Sequence, residues 1–324
     1  MIIADSRWQG PNGIGRYARE VLSRVTVPFA PMPPGGSPSS PIDFLKKKLS
    51  VRGVKPAGVY SPGYNGFLRN VPQTITVHDL IYIRGPHSAK YRPYFDLFLK
   101  PLIKRNGHLI TVSEASKVDI QNWLATDAVE VINAGMGASA SFVLEGRVHE
   151  AERPYFLYVG NLRPHKNVDT LMRAMRSVPD CDLYVVSSDS VGAKAMAQSH
   201  GIAQRVQIYS NTTDHRLATL YRGARATVQP SIIEGFGLPA LESALCGTPV
   251  IFYKGCASVE EICAGYGLPV ESPDDPAQWA DMLNSVEIGS TFPSDVANSW
   301  SYSWESVARE VDSIIARFHS GMYS

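Results

Sequence analysis

Short runs of β-branched and aromatic residues alternate with longer amphipathic runs along almost the whole chain, and few folds accept that pattern. "TITVHDLI" gives way to "YFDLFLKPLIKR" and then "HLITVS"; later "YFLYVGN", "VDTLMRAMRSV" and "CDLYVVSS" repeat the rhythm. A strand covered on both faces reads as a continuous apolar run, and a helix between two such strands makes a parallel crossover. The second half continues with a helical "VGAKAMAQSHG", "RVQIY", a helical "DHRLATLYRGA", "ATVQPS", a helix beginning near Pro239, and "TPVIFY". The pattern predicts an α/β chain of parallel sheets covered by helices.

At 324 residues the chain can bury two cores of roughly 150 residues each. The charged "LEGRVHEAERPYF" precedes a fresh strand and marks a linker at about 145–154, giving an N-terminal domain over 1–150 and a C-terminal domain over 151–299. In the last stretch, 300–324, Val307, Val311, Ile314, Ile315 and Phe318 follow helical spacing, so that helix needs a packing partner. The Pro-rich stretch at 28–41 reads as an early loop. A hydrophobic share of 44% excludes a disordered chain, and a formal charge of +1 argues against a nucleic-acid partner. Four cysteines without a C-x-x-C pair point to a reducing cytoplasm. The apolar start is too short for a signal segment, and no run reaches the roughly 20 apolar residues of a membrane span; a soluble or peripheral protein is expected.

In parallel sheets, ligands collect beyond the C-terminal ends of the strands, where helix N-termini present free N–H groups. Four loops there can carry chemistry. In "PNGIGRYARE", Gly13 and Gly15 let backbone approach a ligand before a helix; Gly13 to Ala18 matches G-x-G-x-x-[GA], but the opening strand is some ten residues away and no acidic residue follows at the dinucleotide spacing. In "TVHDLIY", His78 and Asp79 end a strand and can bond a hydroxylated ligand; capping of local structure is the alternative. In "YVGNLRPHKN", Gly160 ends a strand and Arg163 and Lys166 suit a diphosphate, with a solvated basic loop as the alternative. In "IEGFGLPALESAL", Gly235 and Gly237 put Glu234 on a loop, and Pro239 opens a helix that places Glu242 near its N-terminus. Carboxylates bracketing such a turn suit vicinal hydroxyls, although Glu242 could merely complement the helix dipole. H-E-x-x-H, G-x-S-x-G and Walker A runs are absent from the sequence, so zinc protease, α/β-hydrolase and P-loop chemistry lose their usual support.

These motifs together resemble the GT-B glycosyltransferases, specifically the retaining family 4 with the "glycosyl transferases group 1" domain. The E-x7-E pair Glu234 and Glu242 carries the resemblance furthest, joined in order by the glycine loop, "TVHDL", "TVSEASKVDI", "GNLRPHKN" and "LATLYRGARATVQPS". The resemblance implies two Rossmann-like domains facing a cleft, with the last helix crossing back to the N-terminal domain. It further implies that Arg163 and Lys166 grip the donor diphosphate and that Glu242 binds the ribose. Glu234, with the backbone of Gly235, Phe236, Gly237 and Leu238, would hold the sugar and phosphate. From the other domain Gly13 would approach the donor phosphate and His78 would contact the sugar, with Gly15, Asp79 and Gly160 also on the substrate side.

The activity so implied is metal-independent, retaining transfer of a hexosyl unit, mannosyl from GDP-mannose being the first candidate, to a saccharide or lipid-linked saccharide in bacterial surface-polysaccharide synthesis. No cofactor or metal is expected and no protein general base is assigned. A nucleotide-sugar 2-epimerase and a non-catalytic sugar-nucleotide-binding subunit stand as alternatives. Asn12-Gly13 replaces a frequent Gly-Gly, and Ser210 stands where glycine is frequent near the base-binding loop. Lys46, Lys47, Lys48, Arg52 and Lys55, and the basic-aromatic run around Tyr91 to Arg105, raise peripheral contact with the cytoplasmic face of the inner membrane; Phe95, Leu99 and Leu102 read instead as a core face.

Overall fold

The computed structural model describes residues 2–10, 12–43, 56–67, 71–85, 88–298 and 302–319. The lysine triplet Lys46–Lys48, with Arg52 and Lys55, lies outside the described residues. The chain forms two compact units: Met1–Gly137 with Tyr302–Ser324, and Ala138–Ser301.

The first unit runs β1 (Ile2–Ala4), α1 (Gly13–Leu22), β2 (Phe29–Pro31), β3 (Gly58–Ser61), β4 (Gln73–Ile75), α2 (Ile81–Arg84), α3 (Ser88–Tyr94), a π-helical turn (Phe95–Leu99), α4 (Lys100–Asn106), β5 (His108–Thr111), α5 (Glu114–Leu124) and β6 (Glu130–Asn133). Parallel strands stand in the order β2-β1-β3-β4, and a Thr76–Ile110 bridge links them to the parallel pair β5-β6. Chain order reverses between β1 and β3, which makes a switch point there. β2 falls inside the segment read as a loop. It is an edge strand, where Pro31 needs no ladder N–H on its outer side.

Phe95, Leu99 and Leu102 are buried in the core with Leu109, Ile120 and Leu124, as their spacing predicts. The expected single helix there is instead α3 and α4 joined by the π-turn; Pro93 and Pro101 each lack the N–H that a regular ladder needs. The terminal helix, Trp304–His319, packs on α1 within this unit. Trp304 meets Tyr17, Asp312 accepts the Thr26 and Val27 N–H groups, and Phe318 stacks 3.7 Å over His108. Its apolar stripe thereby finds its partner.

The second unit runs β7 (Tyr155–Val159), α6 (Val168–Ala174), β8 (Asp182–Val186), α7 (Ser190–Ser199), β9 (Val206–Tyr209), α8 (Asp214–Gly223), β10 (Ala226–Gln229), α9 (Leu238–Leu245), β11 (Val250–Tyr253), α10 (Ala257–Cys263), β12 (Leu268–Val270), α11 (Pro276–Ser285) and α12 (Ser294–Asn298). Its six parallel strands are ordered β12-β11-β10-β7-β8-β9, the doubly wound arrangement with its switch point between β7 and β10. Leu171, Met172, Trp279 and Leu283 cover one face and Leu217, Leu220 and Tyr221 the other.

The segment expected as a linker, 145–154, belongs to this second unit, and the units divide at Gly137/Ala138. Its polar backbone is held rather than free: Arg222 donates to the Arg147 and Val143 carbonyls, and His149 N–H to the Thr219 carbonyl.

Candidate active site

At the β7/β10 switch point the loops after the two strands meet. Gly160 ends β7 with its N–H on the Val186 carbonyl, and Pro164–Lys166 makes one 3-10 turn before α6. Lys166 Nζ sits 2.5 Å from Glu234 Oε1, with the two side chains 15% and 10% exposed. Gln229 Nε2, at the end of β10, donates to the same oxygen at 3.2 Å, and Ser231 adds a side-chain bond. Burial alone would raise the Glu234 pKa, but the Lys166 charge and these donors outweigh it and hold the carboxyl below its usual range. Glu234 is thus an ionised acceptor, and Lys166 keeps two N–H donors for anionic oxygens. Arg163, three residues before Lys166, is exposed.

Gly237 takes φ +108°, and a Cβ there would press on Val259 at 3.0 Å, so glycine is needed for the turn into α9. The turn carries the backbone of Gly235, Phe236 and Leu238 to the helix start, with Pro239 in the first turn. Glu242 is the fifth residue of α9, near its N-terminal end as expected, and 2% exposed; Tyr221 Oη donates to its Oε2 at 3.0 Å. A buried carboxylate of this kind suits paired hydroxyls better than a helix dipole alone does.

In the first unit Asn12 caps α1, its Oδ1 accepting the Gly15 N–H at 2.9 Å. That explains asparagine in place of the frequent glycine. A Cβ on Gly15 would collide with the Gly10 carbonyl, whereas one on Gly13 would meet nothing within 4 Å, leaving open space before a ten-residue helix. His78 follows β4, is 6% exposed, and packs edge-on against Tyr17 of α1 at 4.8 Å. Its Nε2 lies 2.9 Å from the Pro62 carbonyl and must therefore carry the proton, which makes Nδ1 the acceptor. Asp79 Oδ1 accepts the Ile81 N–H and starts α2.

The structure thus joins Lys166 to Glu234 in one unit, and the glycine loop to His78 through Tyr17 in the other. Sequence reasoning missed Gln229, Ser231 and Tyr221. All three lie inside "LATLYRGARATVQPS", a run that carries part of the resemblance but to which no individual site roles are attached. Among the described residues no group of three or more His, Cys, Asp or Glu is placed to hold a metal ion.

Burial lowers the His78 pKa from 6.5 to about 4, with the Pro62 bond opposing. The unfolded chain therefore takes up this proton first as pH falls. The stability is complete above pH 6.5 and is lost between 6.5 and about 4, by at most roughly 3 kcal/mol. Denaturant melts across that range should show a shallower pH slope for His78→Gln than for the parent chain, and parallel slopes would refute the assignment.

The family described as "Glycosyl transferases group 1" matches residues 145–300. The O-antigen chain mannosyltransferase RfbU of Salmonella typhimurium is 31% identical over 68% of this chain and 62% of its own length. A D-inositol 3-phosphate glycosyltransferase of Mycobacteroides abscessus is 30% identical over 92% of this chain and 74% of its own. The chain thus spans less than two thirds of the first of these relatives. The crystal structure of Anabaena HepE in complex with UDP and glucose superposes with a TM-score of 0.70 at 15% identity, covering 98% of this chain and 99% of that one, and shares the GT-B fold. The sequence relatives, the fold and the paired loops at the β7/β10 switch point agree, and the chain belongs to the glycosyl transferases group 1 family.

Proposed function

We propose that the chain is a retaining, metal-independent glycosyltransferase that moves a hexosyl unit, mannosyl from GDP-mannose in the first instance, to a saccharide or lipid-linked saccharide in bacterial surface-polysaccharide synthesis. The nearly buried Lys166–Glu234 pair at the β7/β10 switch point carries this reading. The likeness to an O-antigen chain mannosyltransferase supports the sugar and setting. In the proposed step the bond from the anomeric carbon to the diphosphate oxygen breaks, and a bond to the acceptor oxygen forms on the same face. The acceptor proton passes to the leaving phosphate. Negative charge grows on the diphosphate as the bond lengthens, and fixed cations stabilise it most where water is excluded. Lys166 and Arg163 supply those cations in place of a metal. Glu234, with the Gly235–Leu238 backbone, holds the sugar and phosphate, Glu242 holds the ribose, and Gly160 leaves room between them. In the first unit Gly13, Gly15, His78 and Asp79 are the residues assigned to substrate, with His78 Nδ1 free to accept a hydrogen bond from a hydroxyl.

The division of labour is measurable with GDP-mannose and UDP- and dTDP-hexoses in chelator. Glu234→Gln should slow sugar release or transfer about 100-fold with nucleotide affinity within about twofold, because only the transferred sugar loses its carboxylate. Glu242→Ala should do the reverse. If both variants lost nucleotide affinity alone, the role of Glu234 would be wrong.

No helix among the described residues is long and apolar enough to cross a membrane. Peripheral contact with the cytoplasmic membrane face is proposed on a narrower footing. Leu97, 79% exposed on the π-turn, lies in a stretch of sequence that also exposes Lys90, Arg92, Lys104 and Arg105 against Asp96, and an apolar side chain in a basic stretch suits anionic headgroups. Leu97→Glu should reduce cosedimentation with phosphatidylglycerol vesicles; unchanged sedimentation would remove this surface from consideration.

A further inference from the structure

Two substrates must meet in a transferase, and the proposed donor residues of the second unit account for one of them. The first unit has a switch point of its own, between β1 and β3, and four aromatic rings run outward from it. Trp8, just beyond β1, and Tyr64, just beyond β3, are buried with ring centroids 5.2 Å apart. Tyr82 of α2 follows at 5.0 Å from Tyr64, and Tyr91 of α3 at 4.8 Å from Tyr82; both are half-buried, and Lys90 Nζ lies over the Tyr91 ring, 5.3 Å from its centroid.

The inner rings are held by their polar ends. Trp8 Nε1 donates to Asn65 Oδ1 at 2.7 Å, Tyr64 Oη donates to the Ser39 carbonyl, and the Tyr64 carbonyl accepts from Tyr94 Oη. Asn65 in turn donates to Asp5, which Arg7 ties to Asp43. The same loop after β3 that seats Tyr64 offers the Pro62 carbonyl that orients His78. Two outer rings therefore stand on a rigid base, at the ligand end of the sheet, on the loop system that also fixes the imidazole.

We propose that Tyr82 and Tyr91, backed by Trp8 and Tyr64, form a subsite for a hexopyranose ring of the acceptor. A hexopyranose pairs a face of C–H bonds with a rim of hydroxyls. The negative face of an aromatic ring attracts those C–H bonds, and phenol groups at its edge can bond the rim. The proposal rests on the transferase reading, because it supplies that reaction's second substrate.

The test is saturation-transfer difference NMR on the full chain with the methyl glycosides of mannose, glucose, galactose and N-acetylglucosamine. At least one should receive saturation from the parent chain. Tyr82→Ala with Tyr91→Ala should weaken binding about tenfold. Tyr82→Phe with Tyr91→Phe should retain most of the signal. Melting shifts with nucleoside diphosphates should be the same in all three proteins, which also certifies folding. Absence of saturation transfer from every glycoside, or a signal that survives the double alanine change, overturns the subsite. If the parent chain also shows no melting shift with UDP, GDP or dTDP, the transferase reading fails with it; a normal shift confines the failure to the subsite.

Discussion

Lys166→Ala is expected to lower sugar transfer about 10²- to 10³-fold and to destabilise the chain by about 3 kcal/mol. Both effects come from one pair. Lys166 and Glu234 are nearly buried at 2.5 Å, so removing the cation leaves an ionised carboxylate with only the neutral donors Gln229 and Ser231. The two effects separate in a double variant. Lys166→Ala with Glu234→Gln removes the stranded charge, and the amide can still meet Gln229 and Ser231, so stability should largely return. Activity should not, because the cation facing the leaving diphosphate and the carboxylate assigned to the sugar are both missing. Chemical denaturation and single-turnover transfer measure the two quantities independently; joint recovery would make the pair a structural ion pair alone.

The largest expected loss of stability falls elsewhere, at Arg7. Its guanidinium binds both oxygens of Asp5, at 2.7 and 2.5 Å, and both of Asp43, at 2.8 and 3.1 Å. Asp5 is fully buried and Asp43 is 2% exposed. Arg7→Met keeps much of the volume but leaves two buried carboxylates facing one another, so a loss of about 3–5 kcal/mol is expected. Arg7 also donates to the Gly35 carbonyl. The change should therefore loosen the residue 33–43 loop as well as lower the midpoint, visible as faster amide exchange at Ser40 and Asp43. Arg7→Lys should recover only part, since a point charge cannot satisfy two carboxylates in bidentate fashion. A midpoint within about 1 kcal/mol of the parent would mean that the cluster is dispensable.

The layered fold was readable because parallel strands buried on both faces leave unbroken apolar runs: "YFLYV", "DLYVV" and "VIFY" are β7, β8 and β11. Four strands are absent from the sequence reading: β3 (GVYS) and β6 (EVIN) are four-residue runs with polar ends, and the other two share a cause. β2 carries Pro31 and β12 carries Pro269, and both are three-residue edge strands, the one place where proline fits a sheet. Lys166 and Glu234 were each legible, but not their contact, which spans 68 residues and exists only because β7 and β10 are neighbours. Charge and proline mark 145–154 as exposed chain, which it is, but Arg222 on the Arg147 carbonyl and the His149 N–H on the Thr219 carbonyl tie it to the second unit, which begins at Ala138. The aromatic row of the first unit was invisible as a unit, since Trp8, Tyr64, Tyr82 and Tyr91 come from four separate segments. Tyr91 had been read only as part of a basic-aromatic surface.

The most direct test of donor binding in the second unit is a thermal-shift panel with UDP, GDP, dTDP and NAD, run on the parent chain and on Glu242→Ala. One nucleoside diphosphate at 100 times its dissociation constant should stabilise the parent by about 2.7 kcal/mol, GDP being the expected one, and the shift should largely vanish in Glu242→Ala. No shift with any of the three diphosphates, or a shift that Glu242→Ala leaves intact, would contradict the assignment.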